Sequence, residues 1–155
     1  MGKTSKPFVH IYTDGACSGN PGIGGFCAIL KTDRKTREIT GSERTTTNNR
    51  MELMSVISAL EKLRKPCRVI ITTDSNYVVK GMTEWITGWT QRNWLNAQNK
   101  AVLNRDLWER LITASEQHEI EWHWVKGHNG HPENERCDML ARGEISKLRQ
   151  KIRDE

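Results

Sequence analysis

The sequence predicts an α/β domain: a five-stranded mixed sheet, strands 1 to 3 antiparallel and strands 4 and 5 parallel to strand 1, flanked by helices. Three observations carry this prediction. Short β-branched or apolar runs between Phe8 and Ser42 are separated only by turn residues, which makes a meander. From Met51 the apolar residues recur with a period near 3.6, and helical and strand patterns then alternate. The two later strands are reached through helical crossovers, which return a strand parallel to the first.

The first strand is Phe8 to Thr13, and the segment after Asp14 holds five glycines and a proline, which predicts that the strand stops there. Asp14 would then project past a strand end, although Asp-Gly is also a common turn dipeptide and a lone TDG reads first as a turn. Phe26 to Leu30 is a second strand. Because a strand and not a helix follows the glycines, they are read as a hairpin connection rather than a phosphate-cradling loop. Lys31 to Arg37 suits a turn, and Glu38 to Ser42 a third strand. Met51, Met54, Ile57, Ala59, Leu60 and Leu63 form a helical stripe that ends before Pro66. Thr47 or Asn48 would cap it, leaving Glu52 in the first turn, where the helix dipole favours an acid. Arg68 to Thr73 is a fourth strand and again delivers an aspartate, Asp74, at its exit.

A short helix is predicted from Asp74 to Met82, followed by Trp85, Trp89 and Trp94 with polar spacers. Asn104 or Asp106 opens a helix through Leu107, Trp108, Leu111 and Ile112, and Glu119 to Val125 alternates as a fifth strand. Regular helical or strand patterns assign Trp108, Trp122 and Trp124 to core packing. Lys126 to Pro132 reads as a loop and Glu133 to about Arg149 as the last helix, with residues 1–6 and about 150–155 expected to fray.

At 155 residues, with neither repeats nor a linker, the chain reads as one domain over 1–155. Its net charge of +5 tilts the expected partner towards a polyanion. No apolar run approaches the ~18 residues that span a bilayer, and MGKTSKP lacks the apolar segment of a signal peptide, so a cytoplasmic protein is expected. Cys17, Cys27, Cys67 and Cys137 form no Cys-x-x-Cys pair and read as reduced thiols. A zinc site of His128, His131 and Cys137 would want a fourth ligand, and none suggests itself.

Four acids stand out by position: Asp14 and Asp74 after strands, Glu52 early in a helix, and Asp138 in the last helix. Taken singly, Glu52 and Asp138 read as exposed helix charges. The blocks TDGACSGNPGIGGF, TTTNNRMELM, TTDSNYVVKGM and WVKGHNGHPENERCDMLA, however, together resemble the motifs of bacterial type 1 ribonuclease H, in that family's order and spacing. The resemblance runs from about Phe8 to Arg142. It implies hydrolysis of the RNA strand of RNA/DNA hybrids by two divalent ions, Mg²⁺ or alternatively Mn²⁺, held by Asp14, Glu52, Asp74 and Asp138. Asp14 would bridge the ions, Asp138 would serve the nucleophile side, and Glu52 and Asp74 the leaving-group side. His128 matches the family's mobile-loop histidine, suited to shuttling a proton or releasing product.

By the same resemblance Asn20, Asn48 and the backbone around Cys17 line the RNA strand, and Asn76 stands where the family often has glutamine. Thr47 and Asn104 match a pocket for a DNA-strand phosphate, although both could be simple helix caps. Trp85 and Trp89 resemble a DNA-side channel, with core packing as the alternative. The family's strongly basic protrusion is reduced here, since Thr90 to Ala101 contains only Arg92 and Lys100 as cations. A monomer without an obligate protein partner is expected. Two rivals stay open: another nuclease or strand-transferring enzyme of this fold, and a hybrid-binding module without catalysis.

Overall fold

In a computed structural model the described residues are 6–127 and 131–155. The strands are β1 (Phe8–Gly19), β2 (Gly22–Lys31), β3 (Thr36–Thr46), β4 (Arg68–Thr73) and β5 (Glu119–Trp124). They form one sheet in the order β3-β2-β1-β4-β5. β1 to β3 are antiparallel neighbours, β4 runs parallel to β1, and β5 runs parallel to β4. The helices are α1 (Asn48–Glu61), α2 (Asn76–Lys80), α3 (Ile86–Gln91), α4 (Arg105–Ser115) and α5 (Pro132–Arg153). The mixed sheet with flanking helices is the architecture the sequence predicts.

Alternation along the strands divides the core between the two faces. Val9 and Ile11 of β1, Ala28 and Leu30 of β2, and Val69 and Ile71 of β4 join Leu53, Val56, Ile57 and Leu60 of α1 and Trp108 and Leu111 of α4 in the larger cluster. Cys27 and Ile29 of β2 instead meet Cys137 and Ala141 of α5. Leu53, Val56 and Ile57 are completely buried. Each contributes about 1.5–3 kcal/mol through removal of apolar surface from water, so α1 is held by its packing face.

Several boundaries differ from the sequence reading. β1 does not stop at Asp14: it pairs with β2 from His10↔Lys31 as far as Gly19↔Gly22. Gly15 and Gly25 there mark close approaches of α1 and α5 backbone, which a strand accommodates, and only Asn20 and Pro21 turn the hairpin. β3 begins at Thr36 and runs to Thr46 because it follows the lengthened β2. The helix expected to end at Met82 continues as a π-helical turn (Gly81–Trp85) into α3, so Trp85 and Trp89 are helical. α5 continues to Arg153, where frayed residues were expected from about 150. Its last turn carries Lys151 and Arg153, which suit the negative end of the helix dipole, and Arg44 of β3 pairs with Glu155.

Among the tryptophans assigned to the core, Trp108 is fully buried and Trp122 packs partly buried against the larger cluster. Trp124 is not core, being 51% exposed. It ends the edge strand β5, where neighbours cover only part of its ring.

Candidate active site

The site lies where β1 outruns β4. Thr13 pairs with Thr73, the last residue of β4, while β1 continues beside β2 from Asp14 onward. Asp14 therefore leaves the β1–β4 ladder at the point where β4 releases Asp74 and Ser75 caps α2 through a hydrogen bond from the Val78 amide to its hydroxyl. Trp124 fixes this end of β4 by donating its indole N–H to the Asp74 carbonyl at 3.0 Å. Strand alternation alone marks Trp124 for packing and gives no sign of this contact.

Two glycines bring the helical acids in. A Cβ on Gly15 would lie 2.4 Å from the backbone nitrogen of Glu52, so the first turn of α1 rests directly on β1. A Cβ on Gly25 would lie 2.2 Å from the Ala141 carbonyl oxygen, so α5 rests on β2 just beyond Asp138. Carboxylate oxygens of Asp14, Glu52 and Asp74 consequently lie within 4.8 Å of one another. Asp138 lines the same open cleft, together with Cys17, Asn48 and Arg142.

The cluster is short of positive charge. Asp14 is buried, and burial together with Asp74, Asp138 and Glu52 pushes its carboxyl up to about 8, against a hydrogen bond from the Gly15 amide at 2.9 Å. Burial and the Asp74 charge push Glu52 up to about 7, while hydrogen bonds from Ser75 and from Asn48 Nδ2, the latter at 2.7 Å, act the other way. Arg142 forms an ion pair with Asp138, one turn earlier on α5. Hard oxygen ligands from separate elements, held this close, with Asp14 and Glu52 made more basic by burial and by neighbouring acids, suit a divalent cation that competes with protons for them.

The other predicted residues lie around this centre. Cys17 is half-buried, its thiol 3.3 Å from the Thr46 carbonyl, and Asn20 is exposed at the hairpin turn. Thr47 caps α1 by accepting from the Arg50 amide at 3.3 Å, and Arg50 donates to the Asn104 amide oxygen at 3.2 Å. Arg50, which the sequence reading passed over, thus links Thr47 to Asn104 and also pairs with Asp106. Asn104 is not a side-chain cap of α4; its amide donates to the Tyr77 hydroxyl at 3.1 Å. Asn76 is exposed at the start of α2. Trp85 and Trp89 line a separate groove beside Arg92. Trp89 also packs on Trp108 at 5.2 Å between ring centres, so it serves the core as well. His128 lies outside the described residues. Cys137 is fully buried, its thiol 3.3 Å from the Tyr12 carbonyl.

Fold and carboxylate cluster together define a divalent-metal-dependent nuclease of the ribonuclease H-like class. Comparison with known proteins then gives the family: residues 6–146 match the RNase H family profile, and the chain belongs to that family. It is 57% identical to a Ribonuclease H of Geotalea uraniireducens over 137 residues, 88% of this chain and 93% of the relative. It is 60% identical to a Ribonuclease H of Bradyrhizobium diazoefficiens over 143 residues, 92% of this chain and 93% of the relative. Among solved structures it resembles LC9-RNase H1, a type 1 RNase H with the type 2 active-site motif, with a TM-score of 0.85 and 37% identity over 94% of this chain and 75% of that one. Among the described residues no helix is long and apolar enough to cross a membrane.

Proposed function

We propose that this protein is an endonuclease that cleaves the RNA strand of RNA/DNA hybrids at a site where Asp14, Glu52, Asp74 and Asp138 hold Mg²⁺. The observation that carries this reading is the meeting of Asp14, Glu52 and Asp74 within 4.8 Å at the end of β4. When bound, divalent ions supply a nucleophilic water of lowered pKa and positive charge for the leaving oxygen. The chain's own part is orientation. Gly15 sets Glu52 against β1, Trp124 holds the Asp74 backbone, and Asn48 donates to Glu52, so the oxygens converge before an ion arrives.

Discrimination belongs to groups that sense the ribose 2′-hydroxyl. Asn20, Asn48 and the backbone around Cys17 take that role along the RNA strand, and Asn76 contributes its amide to substrate binding. Thr47 and Asn104 take a DNA-strand phosphate, and Trp85 and Trp89 pack against DNA sugars or bases. His128 moves a proton or assists product release. The protein acts as a cytoplasmic monomer, with 1–155 as one domain.

Incubation with labelled RNA/DNA hybrid, duplex DNA and duplex RNA, each with Mg²⁺ and with EDTA, tests the reading. Mg²⁺-dependent cleavage of RNA only in the hybrid is expected. Cleavage of DNA would assign another nuclease or strand-transferring role, and binding without cleavage a non-catalytic module.

A further inference from the structure

The buried side of α5 follows Cys137, Ala141 and Ile145. One residue further round runs a second line, Asp138, Arg142, Ser146, Arg149 and Arg153, with spacings of three and four that keep it on one side of the helix. This line starts in the carboxylate cleft, which Asp138 and Arg142 both line. It then crosses to the β1–β2 hairpin, where Arg149 Nη2 donates to the Ser18 hydroxyl at 2.6 Å. Ser18 adjoins Cys17 and lies two residues before Asn20. Arg149 and Arg153 are in no ion pair among the described residues, and Arg153 is exposed. The helical rise of 1.5 Å per residue puts Arg149 about 10 Å and Arg153 about 17 Å beyond Arg142.

The solvent side of the same helix is different. Lys147 there is paired with Glu144 and has an 80% exposed side chain, as an ordinary solvated face would. The Arg149 line instead leads away from the cleft towards an uncharged hairpin edge that holds it by one hydroxyl.

We propose that Arg149 and Arg153 are a phosphate-binding track that continues the nucleic-acid surface past the cleft on the RNA-strand side, offsetting the shortage of cations between Thr90 and Ala101. This rests on the hybrid as substrate. The probe is a fluorescent RNA/DNA hybrid duplex titrated in EDTA at several salt concentrations, beside a Mg²⁺-dependent cleavage assay. Two phosphate contacts carry a slope of about 1.5 in log K against log salt. R149Q/R153Q should lose that much slope and bind roughly tenfold more weakly at moderate salt. The charge-matched control K147Q/K151Q should keep the wild-type slope, and R149K/R153K should restore most of it. An R149Q/R153Q slope equal to wild type, or an equal fall in both charge-neutralised doubles, would overturn the track while hybrid cleavage by the wild type leaves the functional reading standing. A wild type that neither binds nor cleaves the hybrid would overturn both.

Discussion

Asp14 carries the heaviest electrostatic burden among these residues, its carboxyl raised from 3.8 to about 8 by burial and by the three other acids. A raised acid holds its proton more tightly in the folded state than in the unfolded one, so the folded state is favoured below pH 3.8 and loses stability as pH climbs to about 8. In EDTA at pH 9, Asp14→Asn should therefore melt higher than wild type, by a margin on the order of a few kcal/mol in unfolding free energy, while at pH 4 the two should nearly coincide. Mg²⁺ should narrow the pH 9 gap by stabilising the wild type alone. Thermal unfolding under these four conditions checks the sign, and equal melting in EDTA at pH 9 would contradict it. Asp14 and Asp74 were legible in sequence because each follows a β-branched run, whereas Glu52 and Asp138 were drawn in only by the resemblance of the surrounding blocks. The contacts of Trp124 and Arg50 were not, since each joins residues 50 or more positions apart.

At the scale of elements, the close seating of α1 on β1 sets where Glu52 stands. Gly15→Ala would put a methyl 2.4 Å from the Glu52 backbone nitrogen, and backbone can relieve that only by moving the helix. The expected cost is about 1–3 kcal/mol, the range for overpacking, with weaker Mg²⁺ binding by calorimetry; unchanged affinity and melting would separate Glu52 from this contact. Gly15 and its neighbouring glycines misled the reading of β1, because local propensity marks glycine as a strand breaker and cannot register a helix lying against it. β4 was read at its observed bounds, since Arg68 to Thr73 is a continuous apolar and β-branched run between clear turn signals. The join of α2 to α3 escaped because the π-helical turn interrupts the 3.6-residue period on which helix recognition depends.

For the whole molecule, the charge of +5 is unevenly placed, with two cations between Thr90 and Ala101. Lysines introduced at Thr90, Gln91 and Asn96 should lower KM for the hybrid and steepen its salt dependence, with kcat little altered; an unchanged KM would show that this segment stays off the substrate. The strand directions followed from the meander and the crossovers, while the placing of β4 beside β1 needed the structure. That α5 packs beside β2 opposite α1 needed the tertiary structure, because Cys137 and Ala141 could face either side by pattern alone. In the proposed function, acids from β1, α1, β4's exit and α5 act as one ion-binding centre. The most direct test of that reading is the hydrolysis rate of an RNA/DNA hybrid at saturating Mg²⁺ by Asp74→Asn, with folding checked by circular dichroism. A fall of at least about a hundredfold in a folded variant is expected, and a rate within a few-fold of wild type would contradict the account.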